Sequence, residues 1–162
     1  MNDATPIDDP LAPPALAYFA DFSVDVGQPQ VLGRGPGGLR RVVPILGGSA
    51  RGEGWTARVL PGGSDFQLFS SDTLSHLDAR YGLETDAGDL IYVQNHAVRA
   101  APAEVMARLM RGEPVQPSEI YFRCCPSFET TSASLGWIGE RMFVGSGVRR
   151  PAQVLMRFFC LR

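Results

Sequence analysis

Residues 47–81 read GGSARGEGWTARVLPGGSDFQLFSSDTLSHLDARY, and the punctuation of this stretch points to the fold class. Three short alternating runs are separated by turns rich in Gly, Pro, Ser and Asp. In 54–60 (GWTARVL) Trp55, Ala57 and Val59 share one face, and the preceding Gly47-Gly48 pair reads as a turn. Pro61-Gly62-Gly63 then reverses the chain, so that 64–70 (SDFQLFS) is expected to return as a hairpin partner. In 74–84 Leu77, Ala79, Tyr81 and Leu83 stand opposite Asp78, Arg80, Gly82 and Glu84. A period of two over such short runs marks strands with one buried face.

The same grammar extends both ways. Residues 1–14 are acidic and proline-rich with few large apolar groups, the composition of a flexible tail; a single domain is expected over 15–162. A first strand is predicted over 15–26 (ALAYFADFSVDV), followed by a long Gly/Pro loop over 27–39 and a β-leaning run over 40–46. In that loop Gly33, Gly35 and Gly38 formally fit G-x-G-x-x-G, but no helix signal follows, so the pattern does not read as a nucleotide site. Beyond the Asp86–Asp89 turn, strands are predicted over 90–98, 119–125, 135–144 and 153–162. The one convincing helix is 101–112, with Pro102 near its start, Glu104 in its first turn and Gly112 as its stop. About nine strands with a single helix predict an all-β, mainly antiparallel domain. Closure into one barrel of about eight to ten strands removes the edges that an open sheet of that length would expose. A barrel of that size has room for one small ligand.

Composition narrows the partners. A chain of 162 residues with a net charge of −2 lacks the basic surface that nucleic acid requires. No apolar run reaches the length of a membrane span and no secretory signal is legible, so a cytoplasmic protein is expected. The assembly state is left open, a homo-oligomer included. Cys124, Cys125 and Cys160 are odd in number and read as reduced thiols; with His76 and His96 the only histidines, no zinc-ligand spacing exists and no metal is expected.

The run GLRRVVPILGG…PGGSDFQL…LDARYGLETDAGDLIYV…RGEPVQPSEIYFRCCPSFET…WIGERMFVGSGVR resembles the family catalogued as domain of unknown function 3237, also called the UPF0311 group. The resemblance covers about 38–162 and implies a closed antiparallel β-barrel; it implies little chemistry. There are departures from the family's pattern: Phe66 stands where the family usually has Trp, Gly139 replaces a frequent Asn, and Asn95-His96-Ala97 replaces Asn-Arg-Gly. These changes point to a pocket remodelled for a different ligand.

Asp65, Arg80, Tyr121, Arg123 and Trp137 match the family's motifs within or near strands. Some of them are expected to converge in a barrel mouth or cavity, where Asp65 would be a general base, Tyr121 a proton donor, Arg80 and Arg123 would hold an enolate or carboxylate, and Trp137 would contact the ligand. That arrangement predicts an isomerase, cyclase or lyase without cofactor, acting on an enolisable or phenolic compound. The same cavity also fits a carrier that sequesters an apolar small molecule, and a filled barrel would fit a structural domain. A plainer reading puts Arg80 and Asp78 on the outer face as a solvated cross-strand pair.

Overall fold

Alternating apolar residues become barrel staves. The computed structural model describes residues 11–162; the expected tail falls largely on residues 1–10, outside that range. The strands are β1 (Leu16–Val26), β2 (Gln30–Gly35), β3 (Gly38–Gly52), β4 (Trp55–Val59), β5 (Ser64–Phe69), β6 (Leu74–Thr85), β7 (Leu90–Ala100), β8 (Tyr121–Thr130), β9 (Phe143–Arg150) and β10 (Gln153–Leu161), with one α-helix, α1 (Ala103–Met110), between β7 and β8. All recorded strand pairings are antiparallel, in the circuit β1-β10-β9-β8-β7-β6-(β4, β5)-β3, and β3 returns to β1. The sheet is therefore a closed barrel of eight staves, with β2 outside it as a flap on β3.

Two turns predicted from glycine lie inside the sheet instead. Gly47 and Gly48 sit within the 15-residue β3, where pairing with β1 slips: Asp25 faces Gly47 but Val26 faces Ile45, leaving Leu46 as a bulge. Gly48 has φ +127°, which bends the strand around the barrel corner. Nor do β4 and β5 form a hairpin. Each pairs with β3 on one side and β6 on the other, so they share one stave. Pro61-Gly62-Gly63 is a jog along it, held by the amides of Ile45, Leu60 and Gly62, which donate to the carbonyls of Gly63, Gly82 and Ile45. The hairpin turn of this region is Glu53-Gly54, between β3 and β4. The strand predicted over 135–144 is largely a 3-10 helix, Gly136–Glu140, ahead of β9.

The two barrel ends are closed differently. Phe19, Phe22, Phe128, Phe143 and Phe158 form a buried aromatic cluster at one end, with Phe19 and Phe143 centroids 4.6 Å apart. Trp55 and Trp137 pack on Phe19 from the rim. At the other end α1 lays Val105, Met106 and Leu109 over Phe69 and Ala101. The space between these lids is where the inward side chains turn polar. No helix among the described residues is long and apolar enough to cross a membrane.

Candidate functional site

Strand register places the polar residues in rows. Arg41 on β3, Gln67 on β5, Leu77 on β6, Ala97 on β7 and Cys124 on β8 are successive cross-strand neighbours. The next row toward the aromatic lid is Val43, Asp65, Ala79, Asn95 and Pro126, and then come Tyr81, Val93 and Phe128. The row nearer α1 holds Phe69, Ser75, Arg99 and Phe122. Side chains alternate across a strand, so one face of these four rows lines the lumen. From the far wall, β9 contributes Arg149, paired with Val154 of β10.

Together these side chains bound a small cavity, within which the centre of a water-sized sphere can range over about 40 Å³. Its apolar wall includes Val24, Val26, Val43, Ile45, Phe122 and Met156; its polar wall is Asp65, Gln67, Tyr81, Asn95, Arg99 and Arg149. Arg41, beside the cavity, donates from Nε to Gln67 Oε1 at 2.8 Å, and Gln67 Nε2 donates to Asp65 Oδ2 at 2.6 Å. This relay holds the Asp65 carboxyl through Oδ2 and leaves Oδ1 without a side-chain partner. Buried and without a hydrogen-bond partner in the protein are Asp65 Oδ1, Tyr81 Oη, Asn95 Oδ1, Arg99 Nε and Nη2, and Arg149 Nη1. Each such atom carries a desolvation cost of about 1–3 kcal/mol unless something else satisfies it. Six on one cavity wall are a concentration that a purely structural core would not retain.

Burial acts on every charge here. It raises the Asp65 carboxyl above its ordinary value of 3.8, opposed by the Gln67 hydrogen bond and by Arg99 and Arg41. Arg99, 1% exposed, is pushed down to about 10 by burial and stays charged at neutral pH. Burial also lowers Arg41 and Arg149 and raises the Tyr81 hydroxyl. The sign for Asp65 can be tested. Between 3.8 and its higher folded value the native state binds the proton more tightly than the unfolded chain, so this group subtracts stability as pH rises through that window. Urea melts of wild type and Asp65→Asn are therefore expected to converge at the acid end and to separate in favour of the variant toward neutral pH. A gap that is constant with pH would contradict the burial argument.

The structure places the sequence-predicted residues as follows. Asp65 lies on the lumen wall. Arg80 points outward, half exposed, and forms an ion pair with Asp78 at 3.0 Å in an outer polar row with Gln94 and His96. Tyr121 is 55% exposed on the outer face of β8, and Arg123, on that same face, lies over its ring and donates to the Phe122 carbonyl. Trp137 braces the aromatic lid, away from the cavity. Of the five, only Asp65 reaches the lumen: period-two alternation turns Arg80, Tyr121 and Arg123 out of the barrel, and Trp137 belongs to its end cap. Arg41, Gln67, Tyr81, Asn95, Arg99 and Arg149 were not among the predicted set. Among the described residues no group of three or more His, Cys, Asp or Glu comes together that could hold a metal.

Residues 14–161 match the model of a family described as a protein of unknown function, DUF3237. The chain belongs to this family. A UPF0311 protein of Rhodopseudomonas palustris is 41% identical over 139 residues, covering 86% of this chain and 91% of the relative. Another, from Clostridium acetobutylicum, is 36% identical over 145 residues, covering 90% and 89%. Among solved structures, a family member of unknown function from Rhodopseudomonas palustris superposes with a TM-score of 0.88 at 37% identity, over 93% of this chain and 99% of that one. A β-barrel-like protein from Acinetobacter baumannii gives 0.83 at 36% identity, over 96% and 100%. A crystal structure described as an enzyme from Penicillium herquei shares the fold, with a TM-score of 0.70 at 15% identity over 96% and 100%.

Proposed function

We propose that this chain binds a small organic molecule in the barrel lumen and moves a proton on it through Asp65, in an isomerisation, cyclisation or elimination of an enolisable or phenolic compound. The observation that carries the reading is the unpartnered Asp65 Oδ1 on the same cavity wall as the unpartnered Arg99 guanidinium. A carboxylate whose pKa is raised by burial is, once ionised, a better proton acceptor than an exposed one. Asp65 Oδ1 takes a proton from a carbon beside a carbonyl, or from a phenol, and the electron pair moves onto the ligand oxygen. The Tyr81 hydroxyl, desolvated and without a partner in the protein, donates to that oxygen, and the positive field of Arg99 on the same wall favours the negative charge that develops there. Asp65 then returns the proton at a different atom, so the protein ends as it began. The Arg41–Gln67–Asp65 relay holds the carboxyl in place throughout.

A panel of enolisable ketones and phenols, screened by thermal shift and followed by incubation of hits in D₂O, tests this. Wild type is expected to exchange or convert a bound compound, and Asp65→Asn to bind it with similar affinity while losing about 10²–10⁴-fold in rate. Undiminished turnover in Asp65→Asn would remove Asp65 from the reaction. The extensive apolar wall favours a second reading, a carrier, and recovery of bound compound without deuterium from wild type would favour that one.

A further inference from the structure

We propose that the lumen's ligand carries a carboxylate, seated on the Arg99 and Arg149 guanidinium groups, on a small apolar body packed against the valine and isoleucine wall. The inference rests on the lumen being a binding site and adds the chemical class it selects.

Charge balance leads to it. Arg41, Arg99 and Arg149 surround the cavity, and Asp65 is the one acidic residue on its wall. With Asp65 ionised, three cations face one anion; with it protonated, they face none. Buried guanidinium groups elsewhere in proteins are matched by carboxylates. The exposed arginines here follow that habit: Arg157 grips Asp21 through two nitrogens, Arg111 grips Glu113, and Arg80 grips Asp78. Arg99 is the most buried arginine in the described chain and has no carboxylate hydrogen-bonded to it. Instead Phe69 and Phe122 flank it, each with its ring centroid 5.8 Å from Cζ, and Nε and Nη2 have no acceptor. These rings hold the guanidinium plane and give no acceptor, an arrangement suited to receiving an anion.

A transient enolate cannot meet this need, since it exists only during turnover. The resting complex requires a permanent anion. Arg99 lies in the row nearer α1, whereas Asp65 and Asn95 lie two rows deeper, with Tyr81 below them. The carboxylate is thereby held at one level and the reacting carbonyl or hydroxyl at another. The apolar residues on β1, β3 and β10 (Val24, Val26, Val43, Ile45, Val154) receive the rest of the molecule. A bare inorganic anion would leave that wall unfilled.

Isothermal titration with matched acids and amides gives the test: benzoate against benzamide, cyclohexanecarboxylate against its carboxamide, hexanoate against hexanamide, with phenyl phosphate as a further arm. An acid is expected to bind at least tenfold more tightly than its amide. Arg99→Met should reduce the acid's affinity to that of the amide, and Arg149→Met should reduce it less, with far-UV circular dichroism unchanged in both. Should Arg99→Met fail to fold, the Arg149→Met titration carries the same comparison. Amides binding as well as acids would overturn the carboxylate while leaving the lumen a binding site. Phenyl phosphate binding where every carboxylate fails would replace the carboxylate by a phosphoryl group. If none of the probes binds, the lumen-binding reading falls together with this one.

Discussion

Gly48→Ala is expected to destabilise the barrel by on the order of 4 kcal/mol, enough to prevent soluble expression or to lower the melting temperature by more than about 8 °C. A Cβ at position 48 would stand 2.0 Å from the Ser23 carbonyl oxygen and 3.0 Å from Val24 Cα, both of them backbone atoms that cannot rotate away. The φ of +127° adds strain that only glycine escapes. The site matters because Gly48 lies opposite Val24 on the seam where β1 meets β3, the pairing that closes the sheet into a cylinder. Relief of the clash means opening that seam, and the exposed strand edges would then invite aggregation. Gly54→Ala is the control. Gly54 also has positive φ, +76°, but an added Cβ there meets nothing within 4 Å. Only the backbone preference is lost, about 1 kcal/mol. Calorimetry on the two variants separates steric closure from glycine's conformational freedom, and equal losses would contradict the role assigned to the seam.

The same glycine marks where the sequence was readable and where it was not. Alternation in 74–84 places Leu77, Ala79, Tyr81 and Leu83 on one face, and that face lines the barrel. Strand content, the single helix and closure were all legible, because each stave has to bury one face. Gly47-Gly48 and Pro61-Gly62-Gly63 misled because glycine serves both turns and barrel corners, and only the neighbouring strands decide between the two. The cavity was missed for a related reason. A strand predicted to end at Val98 stops one residue short of Arg99, which shares its face with Asn95 and Ala97. Arg149 was lost behind the glycines of 145–150 (GSGVRR), where residues 147–150 pair with β10 alone. Conversely, Arg80 and Arg123 already stood opposite the apolar faces of their own strands. A match to a family motif does not reveal which way a side chain points. Polar residues in register with an apolar face (Asp65 and Gln67 with Phe69, Arg41 with Val43 and Ile45, Asn95 and Arg99 with Ala97) were the available signal.

Arg99→Met is expected to raise the stability of the empty barrel by about 1–2 kcal/mol, a rise of roughly 2–8 °C in melting temperature. Two effects compete. Burial lowers Arg99 from 12.5 to about 10, which corresponds to a net penalty on its charged form of about 3 kcal/mol, present in full at neutral pH. Against this stand the contacts with Phe69 and Phe122 at 5.8 Å, about 0.5–1 kcal/mol each, which methionine replaces in part with its own sulfur–aromatic contact. The charge penalty wins because no carboxylate is hydrogen-bonded to the guanidinium, and Asp65 acts on it only through space. Loss of Arg99 also removes a positive neighbour that holds Asp65 down, so the Asp65 carboxyl should rise further and become neutral over a wider pH range. A binding residue retained at a cost to the folded state is the pattern of a site kept for its ligand. A lower melting temperature in Arg99→Met than in wild type, without ligand, would instead make the guanidinium a structural strut between two rings. Addition of a bound carboxylate should then reverse the order: wild type gains stability from the ligand by mass action, and Arg99→Met gains far less. The crossing of those two melting temperatures as acid is titrated in is the result that ties the cost in the empty barrel to the function proposed for it.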